Sequence, residues 1–159
     1  MATFLKTESI KGNVTANDYK DWVALDSVNF DIGRMAQMEV GEMHNRSSGK
    51  PRFNAVTIYK KADTATNAFF EHVLDGKNLR EMTMDVCSTG KTLKSHACYV
   101  LKDVIVSHFD THVDSSGIPY ERIQLSFANI EVHYMGQDSA GNAKAPIRSG
   151  YDLKTGELM

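Results

Sequence analysis

Residues 106–113 of the chain read VSHFDTHV, and within them His108, Asp110 and His112 alternate with Phe109 and Thr111. On a β-strand successive side chains point to opposite faces, so the two imidazoles and the carboxylate would stand together. That is ligand chemistry for zinc or iron, and a small metal-binding enzyme centred on His108, Asp110 and His112 is one reading of the chain. A catalytic metal also needs a pocket and groups that orient its ligands. A strand face running into Asp114-Ser-Ser-Gly117 promises neither. The alternative is a local decoration of a solvated strand end, and the six histidines (44, 72, 96, 108, 112 and 133) all read as strand, loop or helix-boundary residues.

Other motifs fail on inspection. Gly90-Lys-Thr92 looks like the end of a phosphate-binding loop, but Asp85 stands where the first glycine belongs, and a strand follows instead of a helix. Asp110 to Glu121 mimics a calcium loop, yet Ser115 occupies the obligatory glycine position and His112 an oxygen-ligand position. There is no Gly-x-Ser-x-Gly elbow, no Cys-x-x-Cys and no His-Glu-x-x-His. The expectation is a protein that is not an enzyme, with no cofactor and no metal. Cys87 and Cys98 are too few for a disulfide framework. With a turn centred on Thr89-Gly90, Cys87 would face Thr92 and Cys98 would face Glu81, leaving two separate reduced thiols.

The elements that carry these residues come from a chain of 159 residues with net charge −2, 42% hydrophobic and 24% charged. This is one domain over residues 1–159, large enough to bury a core without disulfides or metal. The mixed charge gives no pull toward nucleic acid or anionic membrane. No apolar run reaches the roughly 20 residues that span a bilayer, so no membrane insertion is expected. The start, MATFLKTESIKG, lacks a signal-peptide pattern. The protein is expected to begin in the cytoplasm and to be exported, if at all, by a route that ignores signal peptides.

Short β-branched and aromatic stretches alternate with Gly, Ser, Asn and Asp clusters. Strands are expected over 4–10, over 22–30 continuing to Ile32, and over 53–60, with Val28, Phe30 and Ile32 on one face. Residues 41–52, GEMHNRSSGKPR, read as a loop. Ala65, Ala68, Phe69, His72 and Val73 then fall at helical spacing, so a helix is expected over about 64–75, capped by Asp63 or Thr64 and closed at Gly76. A hairpin of 79–87 with 93–106 follows. The run Ile123–Tyr134 has apolar residues on both faces, which predicts a bulge or change of face near Ala128-Asn129. After Gly136 only a short strand near 151–153 is expected. The sum is a mainly β fold: a β-barrel of two packed antiparallel sheets with one short flanking α-helix.

Blocks in order along this chain resemble the Hcp (hemolysin-coregulated protein) family of bacterial type VI secretion systems. They are Phe4-Leu-Lys6 with Ile10-Lys-Gly12, Asp21-Trp22, Lys60-Lys-Ala-Asp63 with the helix and Gly76-Lys77, and Tyr99 to Ser107. Glu121 to Phe127, Ile130-Glu-Val-His-Tyr134, Gln137-Asp138 and Gly150-Tyr-Asp-Leu153 complete the set. Each block is weak alone; their common order over about 150 residues is specific. Asn67 replaces a frequent proline in the first helical turn, and Phe30 and Tyr151 stand where the family often has tryptophan.

The resemblance implies a secreted structural subunit of Gram-negative bacteria, a homo-hexamer whose rings stack into the inner tube. Its partners would be a spike protein trimer at the tube tip, contractile sheath and baseplate proteins, and small effectors in the lumen. It further implies that Asn29 faces the lumen and touches cargo. The segment 41–52 would be a protruding loop, with Glu42, Met43, His44, Asn45, Arg46, Lys50 and Arg52 as ring-stacking residues.

Overall fold

The computed structural model describes residues 1–38, 40–41, 46–90 and 92–159, without the side chains of 37 and 46–48. Among the described residues thirteen strands and one α-helix follow one another: β1 (Ala2–Thr7), a 3₁₀ turn (Asn17–Tyr19), β2 (Val23–Leu25), β3 (Ser27–Asn29), β4 (Ile32–Met38), β5 (Arg46–Phe53), β6 (Val56–Lys61) and α1 (Thr66–Asp75). Then come β7 (Glu81–Ser88), β8 (Lys94–Lys102), β9 (Ile105–His112), β10 (Tyr120–Ser126), β11 (Asn129–Tyr134), β12 (Ile147–Asp152) and β13 (Glu157–Leu158). All pairings are antiparallel. Seven strands form one sheet in the order β13-β12-β11-β8-β7-β1-β2, four form a second in the order β3-β6-β10-β9, and β4 pairs with β5 alone.

The main core lies between the two large sheets. Leu5, Met82, Met84 and Leu101 project from the seven-stranded sheet onto Val56, Ile58, Ile123 and Leu125 of the four-stranded one, all fully sealed from solvent. Phe69 of α1 closes one end. The sheets do not close into a barrel: β2, β13, β3 and β9 remain as edges. Adjacent residues of β1 serve two clusters, as strand alternation requires. Leu5 enters the main core, while Phe4 packs outside the sheet with Tyr19, Cys87 and Trp22.

Several sequence expectations need correction, among them the short strand near 151–153, which is β12 paired with β13. The strand expected from Trp22 to Ile32 is three strands in three different sheets. The chain bends at Asp26, whose amide donates to the Tyr59 carbonyl, and at Asp31, whose carboxylate accepts from Asn54 Nδ2 at 2.9 Å. Ile32 consequently leaves the face of Val28 and Phe30 and is exposed on β4. The expected run from Leu93 to Val106 breaks at Asp103, whose φ of 52° is left-handed; β8 ends there and β9 joins the other sheet. The expected loop 41–52 is in part a strand, since 46–52 belong to β5.

The helix starts at Thr66, two residues later than its pattern suggested. Asp63 Oδ1 accepts the Ala65 amide at 2.9 Å, and Thr66 Oγ1 accepts the Asp63 amide at 3.0 Å. Gly76, at φ 63°, closes the helix with its amide on the His72 carbonyl. The expected change of face near Ala128-Asn129 is the break between β10 and β11, where the chain passes from one sheet to the other.

Candidate functional site

His108, Asp110 and His112 do share the outer face of β9. Ser107 is the extra residue of a bulge opposite Gln124 and Leu125, so Val106 and Phe109 both reach inward although three residues apart. Ligands two apart on a strand are separated by roughly 7 Å, and the three side chains form no group that could hold one ion. The Asp110 carboxylate is instead engaged by Arg122 at 3.2 Å. The triplet is therefore part of a larger surface.

That surface is the outer face of the four-stranded sheet, ruled into cross-strand rows. Asn29, Thr57, Gln124 and His108 form one row; Ser27, Tyr59, Arg122 and Asp110 form the next; Lys61, Tyr120 and His112 form a third. Lys61 Nζ lies 5.9 Å from the centre of the Tyr120 ring. Asn29, the sequence candidate for cargo contact, sits at the exposed corner of this grid on an edge strand.

A second feature is the β4–β5 arm. Its strands pair only with each other, and a lone two-stranded hairpin is marginal in water. Met35 and Met38 are 67% and 78% exposed on it. The register slips opposite Met35, where Gly49 and Lys50 share the place of one residue. Phe53 anchors the arm's base, stacked on Tyr151 at 5.0 Å and edge-on to Phe127 at 6.2 Å. Beside that anchor opens an apolar groove of about 320 Å³, walled by Ile32, Pro51, Phe53, Val132, Tyr151 and Leu158. Of the candidate stacking residues, Arg46, Lys50 and Arg52 lie on β5; Glu42, Met43, His44 and Asn45 lie outside the described residues. The two methionines and the groove escaped sequence reasoning, although methionine on a strand that alternation cannot bury is a usable sign of a partner surface.

Inside the fold, Lys60 and Glu121 form a buried pair at 2.6 Å, and Lys60 also reaches Asp63 at 2.8 Å. Thr66 Oγ1 donates to Glu121 Oε1 at 2.6 Å, so the loop of hydrogen bonds ties the first turn of α1 to β6 and β10. On the other sheet Tyr19 donates to Asp85 at 2.6 Å, and the Cys87 thiol donates to Tyr19 at 3.0 Å. Burial raises the Tyr19 hydroxyl and the Cys87 thiol above their ordinary ranges. Burial, with Asp85 next, pushes Cys98 up to about 11. A bulge at His96 puts Cys87 opposite Ser95 and Cys98 opposite Asp85, replacing the expected partners Thr92 and Glu81. Both thiols are free. These groups are held in their protonated forms, the opposite of what a nucleophile requires.

The architecture is thus a two-layer antiparallel β fold with a flanking helix and a projecting arm. The chain belongs to the Hcp family: residues 4–134 match the family described as "Type VI secretion system effector, Hcp". A solved structure described as a type six secretion system protein superposes with a TM-score of 0.92 at 22% identity, covering 99% of both chains. Hcp1 from Salmonella typhimurium follows the same fold at 0.77 and 18% identity, over 99% of this chain and 98% of its own. A type VI secretion system effector from Yersinia pestis does so at 0.76 and 19%, over 94% and 98%. No curated protein sequence matches the chain.

Proposed function

We propose that the protein is the structural subunit of a type VI secretion tube, assembling as a hexameric ring that stacks on further rings. The observation that carries this is the arm: a hairpin outside both sheets, exposing Met35 and Met38, has no stabilising layer of its own and gains one on a neighbour. Arg46, Lys50 and Arg52, with the residues 42–45 beyond them, are the stacking element. Ring closure uses the edges β3 and β9 of the four-stranded sheet in a head-to-tail contact, which closes when the rotation permits. The outer face of that sheet then lines the lumen, with Asn29 touching small effectors. The remaining partners are a spike trimer at the tip and the contractile sheath and baseplate outside. The protein performs no chemistry of its own and leaves the cell with the tube.

Native mass by light scattering, with negative-stain imaging of the same sample, tests this. Six-subunit hollow rings are expected. A monodisperse monomer across a wide concentration range would remove the assembly.

A further inference from the structure

The outer face of the four-stranded sheet has an unusual balance for a chain of net charge −2. Among the described residues, the one carboxylate that its four strands turn outward, Asp110, is engaged by Arg122, and Lys61 lies over Tyr120. Two cations stand against one acid, and His108 and His112 rise from the same rows. Each histidine is exposed, and histidine is the side chain whose ordinary titration falls between pH 5 and 8.

The groups facing these imidazoles come from every neighbouring strand. β10 presents Arg122 and Tyr120, β6 presents Lys61 and Tyr59, and β3 presents only the uncharged Ser27 and Asn29. Beyond the end of β9, Asp114 lies close enough to His112 for the imidazole to help hold its carboxyl below the usual range, behind the larger effect of the Ser116 hydrogen bonds. Helix α1 contributes nothing to this face, because it meets β9 from the other side, where Phe70 packs edge-on to Phe109 at 5.9 Å. Lys60 and Glu121 are likewise turned into the core.

We infer that this face is a site for acidic protein cargo whose grip is set by protonation of His108 and His112. The inference rests on the ring reading above, in which the face lines a lumen and every charge on it is repeated around the ring. A ring wall with a net excess of one sign concentrates its field on whatever enters, so two added charges per subunit act far more strongly there than on an open surface. Cargo with an acidic surface is held while the imidazoles are charged and released as they lose their protons. Asn29, Thr57 and Gln124 supply neutral hydrogen bonds that set no sign.

The test is fluorescence anisotropy with a labelled twelve-residue oligoaspartate at low ionic strength, between pH 8 and pH 6, with oligolysine and oligothymidylate as controls. Native mass is measured on the same samples. The wild type is expected to bind oligoaspartate roughly tenfold more tightly at pH 6 than at pH 8. The His108→Gln/His112→Gln variant should change less than about twofold over that range, keeping weak binding through Lys61 and Arg122. Intact hexamers that ignore oligoaspartate at pH 6 would overturn the inference and leave the ring standing. A pH response that survives in the double variant, or a preference for oligothymidylate, would overturn it as well. Histidine-dependent binding by a monomer would support the face and remove the ring; a monomer that does not bind would remove both.

Discussion

Lys60 Nζ lies 2.6 Å from Glu121 Oε2, and the two side chains are 0% and 1% exposed. A lysine and a glutamate this deep are tolerated only with every remaining bond satisfied. Asp63 and Thr66 supply those bonds and bring the start of α1 with them. Removing one partner strands the other charge. Glu121→Leu is therefore expected to lose about 3–5 kcal/mol, whereas Lys60→Met/Glu121→Leu should recover most of it, because Asp63, 13% exposed at the rim of the network, can turn outward. Urea unfolding of the three proteins checks this; a double variant as weak as the single one would show the network to be indispensable to the fold.

His72, on the buried side of α1, is 9% exposed and neither ring nitrogen has a hydrogen-bond partner. A buried polar group without a partner weakens the fold, and leucine suits a helix better. His72→Leu should stabilise the protein by about 1 kcal/mol, read as a higher urea midpoint with unchanged slope.

Gly12 is held by a close approach. A Cβ there would stand 2.4 Å from the Trp22 carbonyl oxygen and 2.6 Å from the Val23 Cα, both backbone atoms. Relief requires moving β2 or the segment that covers Phe4 and Tyr19. Gly12→Ala is expected to cost about 3 kcal/mol, with a lowered thermal midpoint and altered Trp22 fluorescence. A midpoint within experimental error of wild type would mean the segment yields freely.

Cys98 carries a pH dependence whose sign follows from its raised thiol, at about 11 in the folded chain. Unfolding lowers it toward the ordinary value of about 8.5. The contribution is fully present below that value and is lost as pH rises toward 11. Stability should fall over that alkaline window in the wild type and fall less in Cys98→Ser. At pH 8 neither thiol should react with a disulfide reagent until denaturant is added.

Met35 and Met38 touch no core, so replacing both by glutamate should change subunit stability by less than about 0.5 kcal/mol. Stacking should be lost while rings persist, as seen by negative stain. Long tubes from this variant would move the stacking surface elsewhere.

How far the sequence was legible differs from element to element. The helix was visible because Ala65, Phe69 and His72 repeat at its period and Gly76 ends it. An irregularity near Ala128-Asn129 was visible because Ile123–Tyr134 is apolar on both faces, but that the chain changes sheet there was not, since pairing partners are not written in one strand. The breaks at Asp26, Asp31 and Asp103 were not, since an aspartate in a strand-like run signals a bend only once its hydrogen-bond partners, Asn54 or Lys154, are placed. The arm was hidden for a related reason: Gly49 and Pro51 read as loop residues, yet a strand paired on one side tolerates both.

By itself the sequence determined the class of fold, the family and the alternation that puts His108, Asp110 and His112 on one face, because these depend on local periodicity and on the order of short blocks. Only the tertiary structure decided what that face is. Cross-strand register, set by a single extra residue at Ser107, seats Asn29, Gln124 and His108 in one row and gives Asp110 to Arg122. Register is a long-range property fixed by which apolar side chains can share the core. No spacing within one strand records it.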